Sequence, residues 1–128
     1  MILGVDLGQK TTGLAISEGQ LASPYQTIKH KNLKDAKSFI IQIIERERVD
    51  TVVIGFVEGK IKILFENFAQ DLKKVRPDLK IILWDETLTT RQATETMIKL
   101  GTAKIKRRQK EHEVAAALIL QSYLDNHD

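Results

Sequence analysis

The sequence predicts an α/β fold: one mixed five-stranded sheet with helices on both faces, three layers in all. Two hairpin-linked runs at residues 2–7 and 12–17 open the chain, so the sheet starts as an antiparallel meander. The later runs TVVIGF (51–56) and KIILW (80–84) are unbroken and apolar, as strands buried on both faces are. Stretches of helical spacing separate and follow those two, which implies parallel pairing and a sheet covered on both sides.

The elements follow in order. The opening strands turn around Gly8 to Thr11, and a third strand runs near Ser23 to Lys29. Asn32 caps a helix over roughly 33–48 that sets Leu33, Ala36, Ile40, Ile43 and Ile44 on one face. Its stretch FIIQII (39–44) has one or two more apolar residues than a single stripe needs, which reads as deep core, with a partner surface as the alternative. After the strand at 51–56, Ile61, Leu64, Phe65, Phe68, Leu72 and Val75 recur at helical spacing until Pro77 stops the pattern. The strand at 80–84 delivers Asp85 and Glu86. TTRQATETMIKLG reads as a helix capped by Thr89 or Thr90 and closed by Gly101, and the last helix starts near Glu111. There is no internal repeat and no linker, so residues 1–128 are expected to form a single domain.

Composition narrows the function classes. The chain has no cysteine, which excludes disulfides and thiolate metal sites and suits a reducing, cytoplasmic setting. No apolar run approaches the ~20 residues of a membrane span, and residues 1–20 alternate like a strand pair, so neither membrane nor signal peptide is expected. The net charge of +3 conceals an asymmetry. Lys99, Lys104, Lys106, Arg107, Arg108 and Lys110 lie between Thr96 and Lys110 with no acid among them, leaving 14 basic against 17 acidic residues elsewhere. One basic arm on a slightly acidic body is the footprint of a phosphate-rich partner.

ILGVDLGQKTTGLAIS (2–17) carries Asp6 at the end of an apolar run, where a lone acid is costly to bury without a partner. It could merely accept backbone hydrogen bonds in a turn. Two sharper readings compete with that: a phosphate-cradling loop like that of the sugar-kinase, actin and Hsp70 superfamily, or a metal-binding aspartate like that of ribonuclease-H-like nucleases. The first needs two such domains around a nucleotide, and this chain has length for one and no second Asp-x-Gly turn. In WDETLTT (84–90), one acid can cap the following helix, but adjacent strand residues face opposite sides, so the other is free to approach Asp6. Two carboxylates together repel unless a cation lies between them, and oxygen donors suit Mg²⁺ or Mn²⁺. His112 leads the last helix with Ala115, Ile119 and Tyr123 at i+3, i+7 and i+11. A histidine there is commonly just solvated; as neutral imidazole it could complete a carboxylate site, with Glu111 and Glu113 as fallback ligands. KIKRRQK, just before it, is either a solvated charge run or a phosphate-binding arm.

Taken together these segments resemble the YqgF/RuvX family, a ribonuclease-H-like group associated with Holliday junction resolution and pre-16S rRNA processing. ILGVDLGQKTTGLAIS resembles the family's Asp-Leu-Gly hairpin, VVIGF its Val-Val-Gly-Leu-Pro strand, LWDETLTT its Trp-Asp-Glu-Arg-Leu-Thr-Thr signature and AAALILQSYLD its last helix. The match spans nearly the whole chain. It departs at His112, where the family has an aspartate opening the last helix, and at GFVEGK, which lacks the family's Pro and longer glycine-containing loop.

The resemblance implies a ribonuclease-H-like three-layer fold and a divalent-metal-dependent endonuclease using Mg²⁺ or Mn²⁺. Asp6, Glu86 and His112 would be catalytic and metal-binding, with Asp85 in reserve. Lys10, Thr11, Arg91, Lys104, Lys106, Arg107, Arg108 and Lys110 would hold the nucleic-acid backbone. The implied substrate is structured RNA, the 5′ end of a 16S rRNA precursor, acted on by a monomer or weak homodimer. The alternatives are branched DNA, cut as a Holliday junction by a dimer, and a nucleic-acid-binding module without catalysis.

Overall fold

A computed structural model describes residues 1–56, 62–86, 91–99 and 111–126. Its elements are β1 (Ile2–Asp6), β2 (Thr11–Ser17), β3 (Ala22–Lys29), α1 (Leu33–Arg46), β4 (Thr51–Phe56), α2 (Lys62–Val75), β5 (Lys80–Asp85), α3 (Arg91–Lys99) and α4 (Glu111–Asn126). The five strands form one sheet in the order β3-β2-β1-β4-β5. β1, β2 and β3 pair antiparallel, and β4 joins β1 and β5 in parallel. This is the mixed sheet the strand patterns predict, with β1 at its centre.

Alternation along β1 divides the core. Leu3 and Val5 face one side, where Ala36, Ile40, Ile43 and Ile44 of α1 and Phe65, Phe68 and Leu72 of α2 close over them. The even face carries Ala15 and Val53 against Ala116, Ala117, Ile119 and Leu120 of α4, with Met97 of α3 beside them. Each fully buried Leu or Ile here contributes roughly 1.5–3 kcal/mol relative to exposure. α4 is buried on most of its circumference, consistent with a place between the sheet and α3 rather than on a surface.

Two details position α4. Gly4 brings the helix close: a Cβ there would stand 2.8 Å from the Leu120 Cβ. Gln121 then pins the far end, accepting from the Ala22 amide at 2.9 Å and donating to the Gln20 carbonyl at 3.1 Å. α4 thus runs antiparallel to β1, with its first residues at the Asp6 end of the sheet.

α1 starts at the expected cap, the Asn32 side chain accepting from the Asp35 amide at 2.9 Å. It ends at Arg46, two residues short of the expected boundary, because Arg48 takes a left-handed φ of 54° that no helix continues. FIIQII divides in a way the deep-core reading does not: Ile40, Ile43 and Ile44 are buried, but Phe39 is 44% exposed. The expected start of the second helix at Ile61, the cap at Thr89 or Thr90, the Gly101 closure, the GFVEGK loop beyond Phe56 and the 104–110 arm lie outside the described residues.

Candidate active site at the carboxyl ends of β1 and β5

Asp6 is the last residue of the central strand and pairs with Gly13 on β2 and Gly55 on β4. Gly55 in turn pairs with Trp84, so Glu86, two residues on, leaves β5 on the same face as Asp6. A strand lies between the two acids, and its residue at that level has no side chain. The Glu86 Cγ passes 3.2 Å from where a Gly55 Cβ would be, and the two carboxyls meet in a hydrogen bond.

Two carboxyls can share a hydrogen bond only if one keeps its proton. Glu86 is the donor. Burial first, then the hydrogen bond to Asp6, then the charges of Asp6 and Asp85 push its pKa from an ordinary 4.5 up to about 8. Asp6 is also raised, chiefly by burial, with the Glu86 hydrogen bond pulling it back. The sign of the consequence follows. The folded state retains a proton that the unfolded chain gives up, so stability is fullest below pH 4.5 and falls as pH rises through about 8. In EDTA, the melting temperature should therefore decline between pH 5 and pH 8, and Glu86→Gln should flatten that slope. An identical slope in the variant would show that the pair does not hold the proton.

The donor set fits a hard divalent cation. Two desolvated carboxylates held in contact offer several oxygen ligands, and a cation would take the place of the proton they share. Among the described residues, no group of three His, Asp or Glu side chains stands close enough to hold a metal ion. His112 is the second residue of α4 and exposed; it meets the sheet through its backbone, the carbonyl lying over Gly13. Glu111 is exposed and Glu113 half-buried beside it. Asp85 pairs in register with Phe56, so it points to the opposite face of the sheet from Glu86, and it acts on Glu86 through its charge.

The expected backbone-binding residues divide similarly. Lys10 is exposed in the turn after Asp6, and Thr11 opens β2 half-buried. Arg91 opens α3 almost fully exposed, 3.3 Å from Glu95 one turn on. A contact absent from the sequence reading supports the turn itself. The buried Thr12 hydroxyl lies 2.8 Å from the Nε2 of buried His30 and accepts from the Gly8 amide at 3.4 Å. The signal available was weak: an inward polar residue on β2 and another just past the end of β3.

A family model described as RuvX, Holliday junction resolvase, matches residues 1–126. A Clostridium tetani protein named "Putative pre-16S rRNA nuclease" is 37% identical over 98% of this chain and 96% of its own length. A Staphylococcus saprophyticus protein of the same name is 34% identical, covering 98% and 95%. Among solved structures, the fowlpox virus Holliday junction resolvase superposes with a TM-score of 0.63 at 15% identity, over 97% of each chain. RuvC of T. thermophilus, solved with a Holliday junction substrate, gives 0.62 at 14% identity, over 98% of this chain and 95% of that one. The structural likeness establishes the expected ribonuclease-H-like fold.

Proposed function

We propose, for a chain that belongs to the RuvX Holliday junction resolvase family, a divalent-metal-dependent endonuclease that cuts phosphodiester bonds in structured nucleic acid. The observation that carries it is the hydrogen-bonded pair of Asp6 and Glu86, half-buried at the carboxyl ends of two strands where sites form in such sheets. Asp6 and Glu86 would be the ligands for Mg²⁺ or Mn²⁺, with His112 at the start of α4 as the third position; Asp85, on the opposite face, is no reserve ligand and acts on the pair by its charge. A bound ion of this kind activates water and stabilises the charge that develops on the leaving oxygen.

The chain's own residues supply the rest. Asp6 and Glu86 give up their shared proton and present two carboxylates fixed by the central strand and the end of β5. Lys10 in the turn after Asp6, Thr11 at the start of β2 and Arg91 at the start of α3 hold phosphates on either side. The basic residues Lys104, Lys106, Arg107, Arg108 and Lys110 neutralise more of the backbone without reading its sequence.

The substrate proposed is the 5′ end of a 16S rRNA precursor, the activity in the names of relatives that align along nearly their whole length. The family description and the solved resolvases favour a second reading, Holliday junction cleavage, which needs a dimer to set two sites on one junction. No helix among the described residues is long and apolar enough to cross a membrane, and we place the protein in the cytoplasm with its RNA.

The test is cleavage of labelled rRNA-precursor 5′ ends and four-way DNA junctions in Mg²⁺, Mn²⁺ or EDTA. Cutting in either metal and none in EDTA is expected, with the substrate cut deciding between the two readings. Tight binding of both substrates with no cutting in either metal would instead make the chain a binding module.

A further inference from the structure

The strands beside the site lead to a groove that the proposed catalytic and backbone-binding residues do not line. It lies between the end of β3 and the outer side of α1, encloses about 430 Å³, and is lined by Lys29, His30, Lys31, Asp35, Phe39 and Gln42 among others. We propose that this groove binds a single-stranded tail of the nucleic-acid substrate, with a base stacked on Phe39 and phosphates on Lys29 and Lys31. The proposal rests on the nucleic-acid reading above.

Charge argues for the occupant. Lys10, Lys29 and Lys31 gather here, since Thr11 pairs with Lys29 and the His30 amide donates to the Lys10 carbonyl at 2.9 Å. None of the three takes part in an ion pair among the described residues, and Asp35 is the one acid lining the groove. A surface of this kind attracts a polyanion. The larger cavity at the opposite end of the sheet, lined by Met1, Ile16, Ser17, Glu18, Gln20, Leu21 and Ser23, has an acid and no basic side chain, and so does not suit phosphate.

Phe39 argues for a single strand rather than a duplex. A ring 44% exposed within a basic groove is what unstacked bases lie against, whereas bases inside a duplex hide their faces. Position agrees. Thr11 stands two residues from Gly13, the partner of Asp6, so Lys29 lies roughly 12 Å from Asp6 by strand spacing and rise. Lys29 ends β3 at the same end of the sheet where Asp6 ends β1, so a strand leaving the cut site along that end reaches the lysines. His30, through Thr12, joins the groove's floor to the turn that carries the site.

Fluorescence anisotropy of the full chain with a labelled unstructured RNA, and with a blunt duplex, reads the groove in EDTA without any cleavage. Phe39→Ala should weaken the single strand about tenfold, the scale of one base lost from an aromatic ring, and the duplex less than twofold. Phe39→Trp should retain binding. Replacing Lys29 and Lys31 together by Ala should lower the slope of log affinity against log salt by about 1.4, two single-strand phosphate contacts, while the same change at Lys74 and Lys80 should not.

Wild-type binding by both groove variants overturns the proposal, even if the protein cuts its substrate normally. So does a Phe39→Ala protein that binds RNA unchanged but converts a dimer to monomer in sedimentation, since the groove would then be a self-association face. Loss of single-strand binding in a protein that cuts nothing in any metal would uphold the groove and remove the nuclease reading.

Discussion

Asp6→Asn should reduce metal-dependent cleavage by roughly three orders of magnitude, the effect expected when several kcal/mol of transition-state stabilisation are removed. The substitution keeps the shape of the side chain and its place at the end of β1, between Gly13 and Gly55. It replaces a carboxylate oxygen by an amide nitrogen, which cannot ligate a cation. Glu86 then loses the partner whose charge and hydrogen bond help to raise its pKa, so its carboxyl should titrate closer to the ordinary range. Substrate affinity measured in EDTA should be unchanged or slightly higher, since one negative charge has left the phosphate site. Full activity in Asp6→Asn would show that the pair is structural and that the site lies elsewhere.

Much of this arrangement was legible in the sequence, for identifiable reasons. Apolar runs of alternating or β-branched character report burial directly, so β1, β2, β4 and β5 could be read from them in chain order; β3, ASPYQTIK, has no such run, and the order of the strands within the sheet was not read. Asp6 and Glu86 stood out because acids at the ends of such runs have few structural uses. What could not be read depended on partners far along the chain. Gly13 and Gly55 look like ordinary strand glycines until α4, about a hundred residues after Gly13, and Glu86 are laid against them. The helical spacing correctly aligned Ile119 and Tyr123 with the sheet, and Tyr123 meets Trp84 edge-on with ring centroids 5.6 Å apart. It does not bury His112, because the helix begins where the sheet ends and the carbonyl, not the ring, makes the contact. Phe39 escaped for the opposite reason: an apolar residue beside three buried isoleucines reads as core, although helix phase turns it outward.

The two glycines beside Asp6 should respond differently to alanine, and the difference tests how the site is assembled. A Cβ at Gly13 would overlap the His112 carbonyl oxygen, carbonyl carbon and the Glu113 amide, all backbone, so the only relief is for the first turn of α4 to move. Overpacking against a fixed backbone costs about 3 kcal/mol, which for a domain of this size lowers the melting temperature by roughly 12 °C. Because that turn also presents His112 to the Asp6 end of the sheet, cleavage by the folded fraction should fall as well. A Cβ at Gly55 instead presses on the Cδ1 of Ile119, the far end of a flexible side chain, and lies 3.2 Å from the Glu86 Cγ. Ile119 can turn aside, so stability should fall by about 1 kcal/mol, within the range of small overpacking changes. Glu86 cannot keep its path over the strand without that space, and its contact with Asp6 should loosen. Gly55→Ala should therefore cost more in activity than in stability, and Gly13→Ala should cost heavily in both. Calorimetry alongside single-turnover cleavage separates the two; equal melting temperatures for both variants would mean that α4 is not seated on Gly13.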